Sequence, residues 1–302
     1  MMDSGHRVRP VDQFVALSEV RLHVREWTTD RPPVVLLHGL ASNAHIWDAV
    51  APGLAERLRV VAMDQRGHGL SSKPDDGYAF SRVAADLGEL IGVLGLEHPL
   101  LVGHSWGGNV ALEHAARCPE AVAGLVLVDG GFLELSANAE MTWERVEREL
   151  APPDLTSLTF DELAARVREG DAGAYWNEAV EATLRGSFAV GHDGKVRPRL
   201  SLSNHLEILR AMWAQRPSEL YGQVRCPVLL VVARRPNPQG RAAEMQAVRE
   251  RQVARARAAM PDAHLLWMED TAHDVPLHRP AMLATAILEL AGAVDALRSP
   301  AL

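Results

Sequence analysis

Apolar residues along this chain fall into short continuous runs separated by longer amphipathic stretches. Strand-sized runs are predicted at Phe14–Leu17, Arg21–Trp27, Val34–Leu37, Val60–Asp64, Leu100–Gly103, Leu125–Asp129, Val228–Ala233 and His264–Met268. The middle runs are apolar at every position rather than at every second one. That pattern is expected of parallel strands covered by helices on both faces. The first two runs read as a hairpin. Between the strands, helical periodicity predicts elements at Ile46–Arg57, Ser81–Leu94, Trp106–Cys118, Gly240–Met260 and Pro276–Leu297. Strand and helix alternating on this scale imply a doubly wound, mostly parallel α/β sheet of about eight strands with right-handed crossovers.

One interval breaks the rhythm. Residues 132–222 contain no run that reads as a buried strand, only amphipathic stretches at Ala139–Leu150, Thr159–Gly170, Ala174–Val190 and Ser201–Arg216. The segment His192–Arg197 reads as an exposed turn between the last two. This interval is expected to be a helical cap inserted into a core formed by residues 1–131 and 223–302.

Composition narrows the function. A chain of 302 residues can bury one large core, alone or with a small appendage. A formal net charge of −8, with arginines interleaved among acids as in Glu144–Glu149, argues against a nucleic-acid partner. The first eleven residues lack an apolar signal core, and runs such as Val228–Ala233 are far short of a membrane span, so a cytosolic protein without a membrane partner is expected. Cys118 and Cys226 each lie beside a proline and are read as small buried thiols. With no metal-ligand spacing and no phosphate-binding glycine motif, no metal or cofactor is expected.

The segment Gly103–His104–Ser105–Trp106–Gly107–Gly108 fits the G-x-S-x-G pattern and stands between a buried strand and a helix. A strand-to-helix turn of this kind exposes the serine hydroxyl, and the N–H of the next residue, Trp106, then faces a developing oxyanion. The strand Val34–Leu37 runs into His38–Gly39–Leu40, where the Leu40 N–H is the candidate second oxyanion donor. His38 is read as steadying that loop by hydrogen bonding, with substrate contact as its other candidate role.

His38–Gly39, the stretch Asp64–Gln65–Arg66–Gly67–His68–Gly69–Leu70–Ser71–Ser72 and the Ser105 motif together resemble the signatures of the α/β-hydrolase family. The likeness is greatest to its small carboxylesterases, lactonases, perhydrolases and carbon–carbon bond hydrolases. The resemblance covers the chain outside the cap and implies the α/β-hydrolase fold, with Asp64 and Arg66 as scaffold rather than catalysts. It also implies a chain order of nucleophile, acid and histidine. His273, just past the last strand, matches the catalytic histidine, although Ala272 replaces the glycine usual before it. His264 and His278 are read as structural.

The acid departs from the common pattern. The loop after Val228–Ala233, which most often carries it in the family, reads Arg234–Arg235–Pro236–Asn237–Pro238–Gln239–Gly240–Arg241 and has no carboxylate. Some relatives carry the acid at the end of the preceding strand, and Asp129 occupies that place. Glu244 and then Asp270 are the alternatives.

A serine nucleophile suits acyl transfer and disfavours epoxide opening and halide displacement, which need a carboxylate at that position. The expected activity is therefore hydrolysis of a carboxylic ester or lactone of a small to medium, largely apolar molecule. Trp143, Trp176 and Trp213 of the cap are the candidate substrate contacts, with His45 and Trp47 as candidates for an opposite wall. Two other readings stand beside this one. A cofactor-free carbon–carbon bond hydrolase would hold an acidic substrate on Arg185 or Arg197, and a small-molecule receptor would use the same scaffold without turnover. The oligomeric state is left between monomer and homodimer.

Overall fold

The structure is a computed structural model describing residues 9–27, 30–137 and 141–298. Its strands are β1 (Val11–Ala16), β2 (Arg21–Trp27), β3 (Pro33–Leu37), β4 (Arg59–Met63), β5 (Leu100–His104), β6 (Gly124–Val128), β7 (Phe188–Val190), β8 (Val196–Pro198), β9 (Val228–Arg234) and β10 (His264–Glu269). The α-helices are α1 (Ala51–Leu54), α2 (Phe80–Val93), α3 (Trp106–Arg117), α4 (Trp143–Leu150), α5 (Phe160–Glu169), α6 (Glu178–Ser187), α7 (Leu202–Ala214), α8 (Arg241–Ala259), α9 (Val275–His278) and α10 (Pro280–Arg298). Eight strands form one sheet in the order β1-β2-β4-β3-β5-β6-β9-β10. The β1–β2 and β2–β4 pairs are antiparallel, and every other pair in the sheet is parallel. This is the expected α/β-hydrolase fold.

Continuous apolar strands work here because successive side chains point to opposite faces and both faces are covered. Leu101, Leu125, Leu127 and Leu230 pack toward α2 and α3, while Val102, Val126, Val128 and Val231 pack on the side of α1 and α10. By length and composition Pro280–Leu297 of α10 would suffice to cross a membrane, a length of apolar chain not expected from the runs counted in the sequence. Its Leu283, Ile287, Leu290 and Val294 are packed in the core beneath the sheet.

Several boundaries differ from expectation for local reasons. The pattern at 46–57 resolves into a 3₁₀ turn, Ala44–Trp47, and the single-turn α1, because Pro52 has no N–H to continue a longer helix. The pattern at 276–297 breaks into α9 and α10 at Arg279, which leaves the helical region, with φ −131° and ψ +52°, before Pro280. The pattern starting at Ala139 becomes α4 only from Trp143, capped by the Thr142 side chain, and residues 138–140 lie outside the described ones. The pattern at 174–190 ends at Ser187, and Phe188–Val190 instead pairs with Val196–Pro198 around the exposed turn. The thiols are not buried: Cys118 is exposed past the end of α3, and Cys226 is half-buried.

The segment between β6 and β9 holds α4 to α7 and the small β7–β8 sheet. It is tied to loops at the carboxyl ends of β3 and β4. Asn43 donates to Thr183 O and Ser187 Oγ at 2.8 and 2.9 Å, and Asn204 donates to Tyr78 Oη and Pro74 O at 2.7 and 3.0 Å.

The Asp64–Ser72 stretch is scaffold. Fully enclosed, Asp64 accepts from Ala44 N–H at 2.7 Å, Leu70 N–H at 2.8 Å and His23 Nδ1 at 2.8 Å. Burial works against its charge, but these donors hold its carboxyl well below the usual range. Arg66 makes a buried bidentate pair with Asp86 at 2.7 and 3.0 Å. Replacing Asp64 by alanine orphans three donors from three segments. Chemical denaturation of D64A should show a loss of about 3–5 kcal/mol of unfolding free energy, against a small loss if Asp64 were a passive surface group.

Candidate active site

Ser105 sits between β5 and α3 with φ +52° and ψ −121°, a backbone conformation that L-residues rarely adopt. Ser105 N–H donates to Val128 O, and Ser105 O accepts from Gly108 N–H, both at 2.9 Å. The glycines are sterically required. A Cβ on Gly103 would lie 2.3 Å from Gly107 O, one on Gly107 2.5 Å from His38 O, and one on Gly130 2.1 Å from Ser105 O. The Gly39 backbone passes directly against the nucleophile, because a Cβ there would lie 3.2 Å from Ser105 Cβ.

The three residues chosen from the sequence come together. Ser105 Oγ lies 3.0 Å from His273 Nε2, and His273 Nδ1 lies 2.6 Å from Asp129 Oδ2. Asp129 is wholly buried at the end of β6, in a left-handed backbone conformation with φ +45°. Its N–H donates to Val231 O and its Oδ1 accepts from Ala233 N–H, so the acid is fastened to β9 although it belongs to the β6 loop. Asn109 holds the same loop from α3, accepting from Gly131 N–H and donating to Leu133 O. The alternatives are elsewhere: Glu244 is exposed on the first turn of α8, and Asp270 is exposed beside Arg279. Arg234, at the end of β9, is paired with Glu269 at 2.8 Å and lies over the Trp267 ring, while Arg235 and Pro238 of the basic loop line a small pocket with Arg249 and His273.

The His273 turn is braced from below. A carbonyl can only accept, so His104 Nε2 carries the proton it donates to His273 O at 2.9 Å. Burial, aided by the neighbouring His273, pushes His104 down to about 4, so it stays neutral. Ala272 N–H donates to His278 Nδ1, consistent with a structural His278. At His273 itself, burial lowers the pKa, but the hydrogen bond and charge of Asp129 outweigh it and raise the ring above the ordinary 6.5. Arg249 works in the opposite direction. It reaches from α8 to 3.5 Å from Asp129 Oδ1, and no signal in the sequence marked it. Burial pushes the Asp129 carboxyl up, while His273, Arg249 and the Ala233 N–H together hold it below the usual range.

Leu40 N–H and Trp106 N–H have no acceptor among the described residues. For Trp106 the reason is its place at the first position of a helix, where no preceding turn supplies a carbonyl. The pair can receive an oxyanion beside Ser105. The Leu40 loop is set by two buried histidines. His38 donates Nδ1–H to Gly39 O at 2.7 Å and accepts Gln65 N–H at 3.0 Å. His68 donates to Arg66 O and accepts Ala41 N–H.

The remaining candidates for substrate contact fare differently. His38 is fully buried with both ring nitrogens engaged, so it supports the loop and does not face substrate. The Trp106 ring is also fully buried, stacked on His68 at 5.1 Å, and only its N–H is available. Trp47 is fully buried, and His45 is paired with Asp48 at 2.7 Å. Trp143 and Trp213 pack on the main core, Trp176 packs between two clusters, and Arg210 and Arg168 cover the Trp143 and Trp176 rings. None of the three lines the cavity of about 390 Å³ that opens beside the Leu40 loop, beginning at Ala41 and walled by 152–156, 187–188, 198–202 and His205. Aromatic residues attract attention in a sequence. Here they anchor the inserted segment, while Leu155, Phe188 and Leu200 form the apolar wall.

A family model described as alpha/beta hydrolase fold matches residues 32–216. The chain is 32% identical over 178 residues to 2-(acetamidomethylene)succinate hydrolase of Mesorhizobium japonicum, covering 59% of this chain and 56% of that protein. It is 43% identical over 192 residues to a serine hydrolase-like protein of Danio rerio, covering 53% and 59%. These matches thus span little more than half the length of the relatives. The crystal structure of E-2-(acetamidomethylene)succinate hydrolase superposes with a TM-score of 0.74 at 24% identity, over 94% of this chain and 99% of that one.

If His273 acts as a base, only its neutral form is active. Because its pKa is raised, kcat/KM should rise with pH through an apparent pKa above 6.5. Asp129→Asn removes the raising partner, so the limb should move to lower pH while kcat falls roughly 10³–10⁴-fold. Arg249→Gln removes a charge that lowers His273, so the limb should move upward. A pH–rate profile that neither substitution displaces would contradict this account of the electrostatics.

Proposed function

This chain belongs to the alpha/beta hydrolase fold family, and we propose that it is a serine hydrolase of carboxylic esters or lactones, working through an acyl-enzyme on Ser105. The observation that carries the reading is the continuous line from Ser105 Oγ through His273 to buried Asp129, at 3.0 and 2.6 Å, beside two backbone N–H groups without acceptors. In the proposed cycle Ser105 Oγ attacks the scissile carbonyl as His273 Nε2 takes its proton. The Leu40 and Trp106 N–H groups hold the oxyanion. Collapse of the tetrahedral intermediate expels the alcohol, which leaves with the proton from His273. Water then attacks the acyl-enzyme, giving its proton to His273, and the acid departs as Ser105 regains a hydrogen. Asp129 holds the ring with Nε2 toward Ser105 and stabilises the imidazolium.

The segment 132–222 serves in this reading as a cap over the carboxyl ends of β3 and β4. The cavity beside the Leu40 loop takes the body of a small to medium, largely apolar substrate. The line from Ser105 through His273 to buried Asp129 argues against a receptor on the same scaffold, although such receptors can keep their catalytic residues.

The decisive experiment combines a fluorophosphonate probe with p-nitrophenyl butyrate. Wild-type protein should be labelled at Ser105 and turn over the ester. Ser105→Ala should lose the label and at least roughly 10⁴-fold of kcat. Wild-type protein that is neither labelled nor active on any ester would favour the receptor.

A further inference from the structure

The two arginines that the sequence offered for an acidic substrate are already engaged. Arg185 pairs with Glu181 at 2.7 Å and lies over the Phe160 ring. Arg197 pairs with Asp193 at 2.6 Å and donates to Thr156 O. A third arginine, Arg199, has no side-chain partner among the described residues. It follows β8, its backbone N–H is bonded to Ser187 O, and its side chain lines the cavity beside the Leu40 loop. Among the described residues no carboxylate pairs with it, and its Nε is buried without an acceptor. A guanidinium cannot shed its charge by deprotonation, and a buried donor left without a partner is costly. An acceptor that arrives with a ligand would satisfy both.

The surroundings favour an anion. Asp154 is the single carboxylate among the lining residues, and it is turned to Thr156, accepting from its N–H and Oγ at 2.9 and 2.7 Å. The two lining histidines are neutral: burial pushes His68 down to about 3 and also lowers His205, which donates Nε2–H to Leu150 O. Lys73 adds a second cation nearby. Burial first, and then the charge of Arg199, lowers its pKa, and its ammonium is held by Gly69 O and Ser71 O. The rest of the wall is apolar, including Leu155, Phe188 and Leu200. Ser105 and His273 are not among the residues that line this cavity; its link to them is Ala41, next in the chain to Leu40, whose N–H faces the scissile carbonyl in the proposed mechanism.

We propose that Arg199 binds a carboxylate on the substrate, remote from the scissile bond and joined to it by a short apolar chain. The substrate class is then the esters that carry a free acid, such as half-esters of aliphatic dicarboxylic acids. This rests on the serine-hydrolase reading and deepens it.

The test compares kcat/KM for p-nitrophenyl hydrogen glutarate with that for its methyl-capped neutral counterpart. It also compares the butyryl ester of 4-hydroxybutanoate with its own methyl-capped form, which puts the carboxylate on the alcohol side. Wild-type enzyme should prefer the free acid in one of the two pairs, and the arm that responds tells which half of the substrate fills the cavity. In Arg199→Leu that preference ratio should fall roughly 10- to 100-fold, mainly through KM, as expected for loss of a charged hydrogen-bonded contact. Arg199→Lys should keep part of it, since the charge remains and the planar fork is lost. A wild type indifferent to the carboxylate in both pairs, or an Arg199→Leu ratio equal to that of wild type, overturns the proposal. Labelling of Ser105 and turnover of p-nitrophenyl butyrate report on the hydrolase reading alone, so the two failures are distinguishable.

Discussion

Everything at this site hangs on the turn at Ser105. Its positive φ is held in place by backbone packed so closely on all sides that Gly103, Gly107 and Gly130 admit no Cβ. Strain of this kind, of order 1–3 kcal/mol for one residue, persists only where the surroundings over-determine it. The surroundings here are the ends of β3, β5 and β6 and the first turn of α3. The same crowding brings the Gly39 loop against Ser105 and leaves the Trp106 N–H at a helix start without a carbonyl to bond. The nucleophile, the space for an oxyanion and the approach of the acid loop are thus one packing solution.

The acid shows how the fold tolerates a change of address. Asp129 belongs to the β6 loop yet is hydrogen-bonded to β9 through its own N–H and through Ala233 N–H. Because β6 and β9 are neighbours in the sheet, either strand end can reach Nδ1 of a histidine that follows β10. The vacated loop after β9 is basic, and Arg234 just before it is paired with Glu269. Arg249, from the helix after it, stands against the far oxygen of Asp129. A cation there stabilises the carboxylate and partly opposes the rise in the His273 pKa, so the base is tuned by two charges of opposite sign.

Across the cavity from the Leu40 loop, the segment between β6 and β9 divides its residues between attachment and the cavity wall. Asn43 and Asn204 stitch it to the loops after β3 and β4, and arginines over Trp143 and Trp176 cover its aromatic anchors. What remains facing the cavity is apolar apart from a few polar groups, of which Arg199 alone is a cation. An enclosed apolar space with one unpaired charge is a selective environment, because a ligand lacking the matching charge leaves that group unsatisfied.

The order of strands and helices, the turn at Ser105 and the meeting of His273 and Asp129 with it were legible in the sequence. They depend on local signals: continuous apolar runs, glycines where backbone must pass closely, and a carboxylate missing from one loop and present at another. Element ends moved where proline interrupted a helical pattern, at Pro52 and Pro280, and Phe188–Val190 became a strand only by meeting Val196–Pro198. The pocket was not legible. Tryptophans at helical spacing serve equally as core or as contact, and whether an arginine is free depends on which acid folds beside it. Sequence spacing pairs Arg185 with Glu181 and Arg197 with Asp193 on nearby turns, while among the described residues no acid pairs with Arg199. The setting of the proposed nucleophile was therefore written in neighbouring residues. The wall of the cavity was decided only by long-range packing, since burial and pairing are properties of the folded whole.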